Sequence, residues 1–387
     1  MSCDSTKRLF MVEHLPKKRV AFITSGISVG GAEKQLAMLA WSLKSNGHEI
    51  ILISLKRPSQ ADRLIAFDGL DVIFVEMKTL VCLVFGVFRI RKIFVKFDPD
   101  YIQGWMFAGN IIASLVGLLF GYKFFHSIRA SNMDRKRYRF QIFLNRLFSH
   151  FALAVISNSY RGAAYYAADG FSKKNMLVIP NGINTEEFYK CEVERREMRK
   201  SLGLDQSAFV FLYAARVDPM KGHALISMLA ERFPETVFLL VGLGTEYLKV
   251  PRNVIALGMR RDMREIYNAA DWLISLSNFG EGFPNVIGEA MACGLPVFAN
   301  NSGDSWRVIG STGFRSVGAN VNEISIEMRK AQASRISVTF ANECAARIAS
   351  CFSVNHMVKQ YAGLYQDMKG SKIGKTYKPK NKDISVS

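Results

Sequence analysis

The sequence predicts an α/β protein of two doubly wound domains that face a cleft. Three observations predict it. A strand, glycine loop, helix and strand occupy residues 19–55, and βα alternation continues from there to about residue 185. A second βα series begins near residue 209 and runs to about residue 300. Between the two series, over residues 185–200, the chain turns polar and charged, which places the domain boundary there. A chain of 387 residues, 49% of them hydrophobic, gives each domain enough material for its own core.

In the first series, residues 20–24 form a short apolar run bounded by glycine. Residues 32–44 have helical spacing, with Leu36, Leu39, Ala40 and Leu43 on one face, and Gly47 ends that helix before a strand over 49–55. "DVIFVEM" is a strand, residues 80–97 are a basic-apolar segment, and "YIQGWM" is a strand. A helix over 109–121, the strand "KFFHSI", a basic helix around 135–149, the strand "LAVISNS", a helix near 161–168 and "MLVIPNGI" complete the series. Residues 104–125 are nearly free of charge and almost long enough to span a bilayer. Asn110 and four glycines interrupt them, and their flanks resemble strand ends, which favours a buried strand–helix–strand.

In the second series "FVFLYAARV", "TVFLLVGLG", "NVIALGM", "DWLISLS" and "PVFAN" are strands. "KGHALISMLAERF", "MREIYNAA" and "NVIGEAMACG" are the helices between them. The expected division is an N-terminal extension at 1–17, a first Rossmann-like domain at 18–185, a second at 186–355, a closing helix at 356–368 that packs back on the first domain, and a basic disordered tail at 369–387.

The net charge is +18, roughly +12 of it within residues 1–190, so an anionic partner or surface is expected, chiefly at the N-terminal half. Six scattered cysteines without a CxxC pair fit free thiols in a reducing cytoplasm, and the first residues lack the apolar core of a signal peptide. Asp98 and Asp100 have a D-x-D spacing that metal-dependent transferases use, but they precede a strand and read as a turn. No His, Cys or carboxylate cluster has metal-ligand spacing, so neither metal nor cofactor is expected.

"SNFGEGFPNVIGEAMACGLPVFAN" carries Glu281 in a Gly/Pro turn and Glu289 eight residues on in a helix. Alone, the two are open to several readings: an acid/base couple, a metal site, a helix-dipole partner with a solvated helix charge, or a ligand site. In chain order the sequence also holds "SGISVGGAEKQLAMLA", "VIPNGINTEEF", "AARVDPMKG", "LVGLGTE" and "FSVNHMVKQYAGLYQDM". Together, over about residues 18–368, these motifs resemble retaining glycosyltransferases of family GT4, which have the GT-B fold.

The resemblance implies a donor site for a nucleotide-sugar, UDP- or GDP-linked. Gly30 and Gly31 would approach the donor diphosphate, where glycine backbone and a helix N-terminus suit an anion. Arg216 and Lys221 would grip the diphosphate and stabilise its charge as it leaves. Glu281 would contact the transferred sugar, and Glu289 would accept hydrogen bonds from the ribose. The backbone of Gly282, Phe283, Asn285 and Val286 would meet sugar or phosphate. Gly242 lies in the glycine turn after a strand, and Gly258, Met259 and Arg260 would flank the base. On the acceptor side either His126 or Arg129, both placed at the carboxyl end of "KFFHSI", would take the catalytic role. A histidine with a purely structural part remains open.

The reaction implied is retaining, metal-independent transfer of a hexose or N-acetylhexosamine to a hydroxyl of a growing, lipid-linked surface glycan. The alternatives are a sugar-nucleotide-binding GT-B protein of another class, an epimerase, or a non-catalytic subunit. The intact Arg216, Lys221, Glu281 and Glu289 argue against loss of activity. Two stretches, "VCLVFGVFRIRKIFVKF" and "RASNMDRKRYRFQIFLNRLFSH", interleave basic and apolar residues. They suit either helices with a core face and a solvated basic face or an interfacial surface on anionic membrane. The expected place is cytoplasmic, peripheral on the inner face of the membrane, with no nucleic-acid partner.

Overall fold

The computed structural model describes residues 16–27, 30–58, 67–77, 79–129, 135–318, 320–334 and 337–367. Most of the expected N-terminal extension and the whole expected basic tail lie outside the described residues. The chain divides into two compact units. One runs to Gly182 and resumes at Val354; the other is Ile183–Ser353.

Among the described residues, the first unit holds β1 (Arg19–Thr24), β2 (Glu49–Ser54), β3 (Asp71–Phe74), β4 (Tyr101–Trp105), β5 (Phe124–Ile128), β6 (Val155–Ser157) and β7 (Met176–Val178). They form one parallel sheet in the order β3-β2-β1-β4-β5-β6-β7. The crossovers are α1 (Gly31–Ser45), α2 (Leu80–Phe97), α3 (Met106–Phe120), α4 (Arg135–Ser149) and α5 (Tyr160–Ala168). Buried on both faces, β1, β4 and β5 stand out in the sequence as largely apolar runs, while β3 at the edge is only half-buried.

The segment 104–125 is the end of β4, then α3, then the start of β5. Gly109 lets α3 lie on the sheet: a Cβ there would stand 2.1 Å from the carbonyl oxygen of Ile23 in β1. No helix among the described residues is long and apolar enough to cross a membrane. Asp98 ends α2 in the left-handed conformation and pairs with Arg19 at 2.5 Å, while the Asp100 carboxylate accepts from the Arg19 amide at 2.9 Å. The D-x-D spacing is thus a turn tied to the first strand.

The second unit holds β8 (Val210–Ala214), β9 (Val237–Val241), β10 (Val254–Ala256), β11 (Trp272–Ser275), β12 (Val297–Ala299) and β13 (Phe314–Arg315). This sheet is also parallel, in the order β10-β9-β8-β11-β12-β13. The helices are α6 (Glu192–Ser201), α7 (His223–Glu231), α8 (Met263–Ala269), α9 (Asn285–Ala292), α10 (Ser305–Ile309), α11 (Val321–Ala333) and α12 (Val338–Cys351).

A final helix, α13 (Val354–Asp367), belongs to the first unit. Its buried face, Met357, Val358, Tyr361, Leu364 and Tyr365, joins the core formed by Val20, Phe22, Leu36, Leu39 and Phe125. The Tyr365 hydroxyl donates to Gln103 Oε1 of β4 at 3.1 Å.

Candidate functional site

In each sheet the strand order reverses beside the first strand, between β1 and β4 and between β8 and β11. Loops leaving adjacent strands in opposite directions open a crevice at the carboxyl edge, the usual place for a ligand in such folds. In the second unit those loops are residues 215–222 after β8 and 276–284 after β11.

The two loops are tied together. Asp218 caps a short turn, Pro219–Lys221, by accepting from the Met220 amide at 2.9 Å. The Asn278 amide donates to Met220 O at 2.7 Å, and its side chain donates to Pro219 O at 3.0 Å. Gly280, in the left-handed region, leaves room for the Met220 side chain, whose Cε would stand 2.1 Å from a Cβ there. Across this junction the Lys221 ammonium donates to Glu281 Oε1, and Ser277 Oγ donates to the same oxygen at 2.8 Å. Both ions are largely buried, so the pair is little screened. Below it the Tyr213 hydroxyl donates to Lys221 O. Burial, and secondarily the Glu281 charge, push the Tyr213 phenol up, so it stays a donor.

Arg216 stands apart from that pair. Its side chain is 62% exposed and bonds Asp218 at 3.2 Å. Gly242 comes close to it: a Cβ there would lie 2.1 Å from Ala215 O and 2.7 Å from the Arg216 amide nitrogen. The Gly242 amide donates to Gly258 O at 2.8 Å. Thr245 Oγ1 accepts from the Gly258 amide at 3.0 Å and donates to Gly242 O at 2.9 Å. This ring of bonds sets the Gly258–Arg260 stretch beside the end of β9. Met259 is exposed, and Arg260 pairs with Asp262, Nε to Oδ1, at 2.8 Å.

Glu281 and Glu289 have separate partners. Glu289 lies within α9 and accepts from the Tyr267 hydroxyl at 2.9 Å. Burial first, and the Glu289 charge second, hold that phenol protonated. Asn285 and Val286 open α9, where the helix dipole favours an anion. Gly282 offers its carbonyl to the Asp304 amide at 3.0 Å, and Gly303 must be glycine because a Cβ would stand 2.4 Å from that oxygen. The Phe283 side chain is core, its ring 5.4 Å from that of Phe352.

In the first unit, Gly30 caps α1 and Gly31 begins it. Gly30 is extended, a conformation open to any residue, and the nearest atoms a Cβ there would meet are those of the Glu33 carboxylate.

The expectation that His126 stands at the carboxyl end of its strand is corrected. It is the middle residue of β5, fully buried, with Nε2 2.7 Å from Ser114 Oγ. The Ser114 hydroxyl donates to Asn110 O at 2.8 Å, so the imidazole N–H donates to Ser114. Strand alternation sends this side chain toward α3 and into the core. Burial lowers its pKa to about 3. A histidine kept neutral in the fold contributes stability that is full above pH 6.5 and is lost as pH falls toward 3. Stability measured by urea unfolding is therefore expected to fall between pH 6.5 and pH 5 more steeply for the wild type than for His126→Gln, by up to about 1.4 kcal/mol per pH unit. Equal slopes would show that His126 is not the buried neutral group described.

Arg129, just past β5, is the residue at the carboxyl edge. Its guanidinium lies 3.6 Å from the Trp105 ring centroid and donates to Asn181 Oδ1 at 3.2 Å and to the Tyr361 hydroxyl. Ser277, Thr245, Tyr267 and Gly303 support the second-unit site; Ser277 and Thr245 fall inside the motifs quoted above without being singled out there, and Tyr267 and Gly303 lie outside those motifs. Tyr267, within α8, and Gly303, in the loop after β12, have no sequence signal beyond their position.

Two Rossmann-like units with these sheet orders are the architecture of GT-B glycosyltransferases. A solved structure of Anabaena HepE in complex with UDP matches with a TM-score of 0.79 at 20% identity, covering 90% of this chain and 100% of that one. The Glycosyltransferase Family 4 model matches residues 29–187, and the Glycosyl transferases group 1 model matches residues 194–332. The chain belongs to the GT4 family of glycosyltransferases.

Among curated relatives, the alpha-galactosylglucosyldiacylglycerol synthase of Streptococcus pneumoniae is 28% identical over 51% of this chain and 57% of its own length. The UDP-Gal:alpha-D-GlcNAc-diphosphoundecaprenol alpha-1,3-galactosyltransferase of Escherichia coli is 26% identical over 49% and 54%. The chain thus spans about half the length of these relatives.

Proposed function

We propose that the protein is a retaining glycosyltransferase that moves a hexose or N-acetylhexosamine from a UDP- or GDP-sugar to a hydroxyl of a lipid-linked glycan. The observation that carries this reading is the Lys221–Glu281 pair at the strand-order reversal beside β8 and β11. Gly280 stands in the loop after β11, and Gly242, just after β9, packs against the Ala215–Arg216 backbone of the loop after β8. A leaving diphosphate needs a preorganised cation, and Lys221 is held in place by a carboxylate and a helix-capping loop. In the transfer the sugar C1–phosphate bond breaks and a C1–acceptor oxygen bond forms on the same face. The departing phosphate oxygen takes the acceptor proton. No metal takes part in this scheme.

Names of both relatives quoted above contain a lipid, diacylglycerol in one and diphosphoundecaprenol in the other. The surface of the first unit supports a membrane acceptor. On α2, Val81, Val84, Phe85, Phe88 and Val95 are exposed beside Arg89, Arg91, Lys92 and Lys96; Phe85 is 71% exposed. On α4, Phe140, Phe143 and Leu147 are exposed beside Arg139 and Arg146. An apolar face of this extent, laced with cations, suits an anionic bilayer. We place the protein on the cytoplasmic face of the membrane as a peripheral enzyme.

A thermal-shift panel of UDP, GDP, ADP and their sugars tests the donor. A ligand at 100 times its Kd adds about 2.7 kcal/mol of stability. UDP or GDP is expected to raise Tm in the wild type and to raise it less in Lys221→Ala. If no nucleotide raises Tm, the donor assignment fails.

A further inference from the structure

The first unit has a cavity of about 580 Å3 at the carboxyl edge of its sheet. It is lined from β1, β2 and β5 by Ser25, Lys56 and Arg129, and from the helices by Leu83 of α2, Ile111 of α3 and Leu144 of α4, with further apolar side chains between them. That volume is within the range of sites that enclose most of a small ligand.

Two properties of the wall select its occupant. The first is charge. Among the described residues Arg129 has only neutral partners, Asn181, Tyr361 and the Trp105 face, and no acceptor for its buried Nε. Among the described residues no carboxylate pairs with Arg129 or with Lys56, the other cation on the wall. A guanidinium withdrawn from water without an anion is costly, and an anionic group of a ligand offsets that cost. Burial lowers the Arg129 pKa, the direction expected of an uncompensated cation.

The second property is continuity with the outside. Phe140 lines the cavity and is also 68% exposed on α4, on the same helix face as the exposed Phe143 and Leu147. The apolar wall therefore runs into the apolar, basic face of α4.

We propose that this cavity binds a long-chain lipid phosphate, with hydrocarbon along the α2, α3 and α4 wall and the phosphate on Arg129, assisted by Lys56. The proposal rests on the reading of this chain as an enzyme with a lipid-linked acceptor, and it assigns to one cavity both the lipid and its anionic group. Neutral glycolipids and free sugar phosphates are excluded as good occupants, because each satisfies only half of the wall.

Titration of the full chain with farnesyl phosphate, farnesol and inorganic phosphate, followed by tryptophan emission, tests it, since Trp105 lies directly against Arg129. Farnesyl phosphate is expected to bind saturably and at least tenfold more tightly than either other probe. Arg129→Gln is expected to reduce its affinity to that of farnesol, and Leu144→Trp, which fills the apolar wall, to weaken farnesyl phosphate and farnesol alike. Retained Tm shifts with UDP or GDP show that each variant is folded. Inorganic phosphate or farnesol binding as tightly as farnesyl phosphate overturns the proposal, as does unchanged affinity in either variant. A nucleotide shift without farnesyl phosphate binding sinks this cavity assignment and leaves the transferase reading standing; farnesyl phosphate binding without any nucleotide shift does the reverse.

Discussion

Glu281→Gln is expected to lower the rate of sugar transfer roughly 100- to 1,000-fold, the scale on which one preorganised electrostatic partner acts. Glutamine keeps the shape and can still accept from Ser277, but it removes the charge that holds the Lys221 ammonium across the two loops. The loss should fall mainly on kcat, because the ammonium matters most when the diphosphate departs. Lys221→Ala is expected to be at least as damaging. The double variant should be little worse than the worse single variant, as befits two groups acting as a unit. Steady-state transfer rates with the nucleotide-sugar that raises Tm measure all three. Near-wild-type turnover in Glu281→Gln would remove the pair from the catalytic machinery.

Asp271→Ala is expected to destabilise the second unit by about 3–5 kcal/mol, the cost of stripping a buried cation of its partner. Asp271 accepts from Arg195 at 2.6 Å, from Arg199 at 3.0 Å and from the Val210 amide at 2.7 Å. Arg199 is fully buried, and its other donors go to the carbonyls of Ala269, Gln206 and Ala208, each at 2.9 Å. Burial lowers the Arg199 pKa and the Asp271 charge opposes that shift, so removing the carboxylate leaves a buried cation hydrogen-bonded to carbonyl oxygens, with the lesser Asp205 charge as its remaining anion. Urea unfolding of the variant measures the loss. A change below about 1 kcal/mol, the range of exposed pairs, would show that the carbonyls alone suffice.

That arginine lies in a stretch whose sequence reads as a polar connection. Residues 185–200 are rich in Glu, Arg and Lys, with little apolar periodicity, yet Glu192–Ser201 is a helix anchored by Arg195, Arg199 and Met198. Its stabilising contacts reach carbonyls some 70 residues away in the chain, which no local pattern reveals. The strands are the opposite case. The central strands of both sheets are buried on two faces, so each is a short apolar run that local composition exposes, whereas the edge strand β13, two half-buried residues, has no such run. The helix α11 falls between the two: Ile324, Met328 and Ala331 are spaced for one buried face, a signal weaker than the glycine-bounded strands.

The site was legible in part, by the same logic. Glu281 and Lys221 stand out through motifs, but their ion pair joins residues sixty positions apart and depends on the strand order placing β8 beside β11. For His126 and Arg129, three residues apart, composition does not say which one the strand buries. The answer follows from where β5 ends, since a strand boundary decides which side chain enters the core and which reaches the loop. The cavity of the first unit had no signature at all, because its wall is collected from separate strands and helices.

The return of α13 to the first unit has a consequence for synthesis on the ribosome. The second unit is a continuous stretch, so every strand of its sheet is available once residue 353 has emerged. The first unit, although translated earlier, lacks the Tyr361 and Tyr365 side of its core until the last helix appears. Arg129 likewise waits for the Tyr361 hydroxyl. The unit translated earlier is thus completed later, and the apolar face that α13 covers stays open to solvent in the interval.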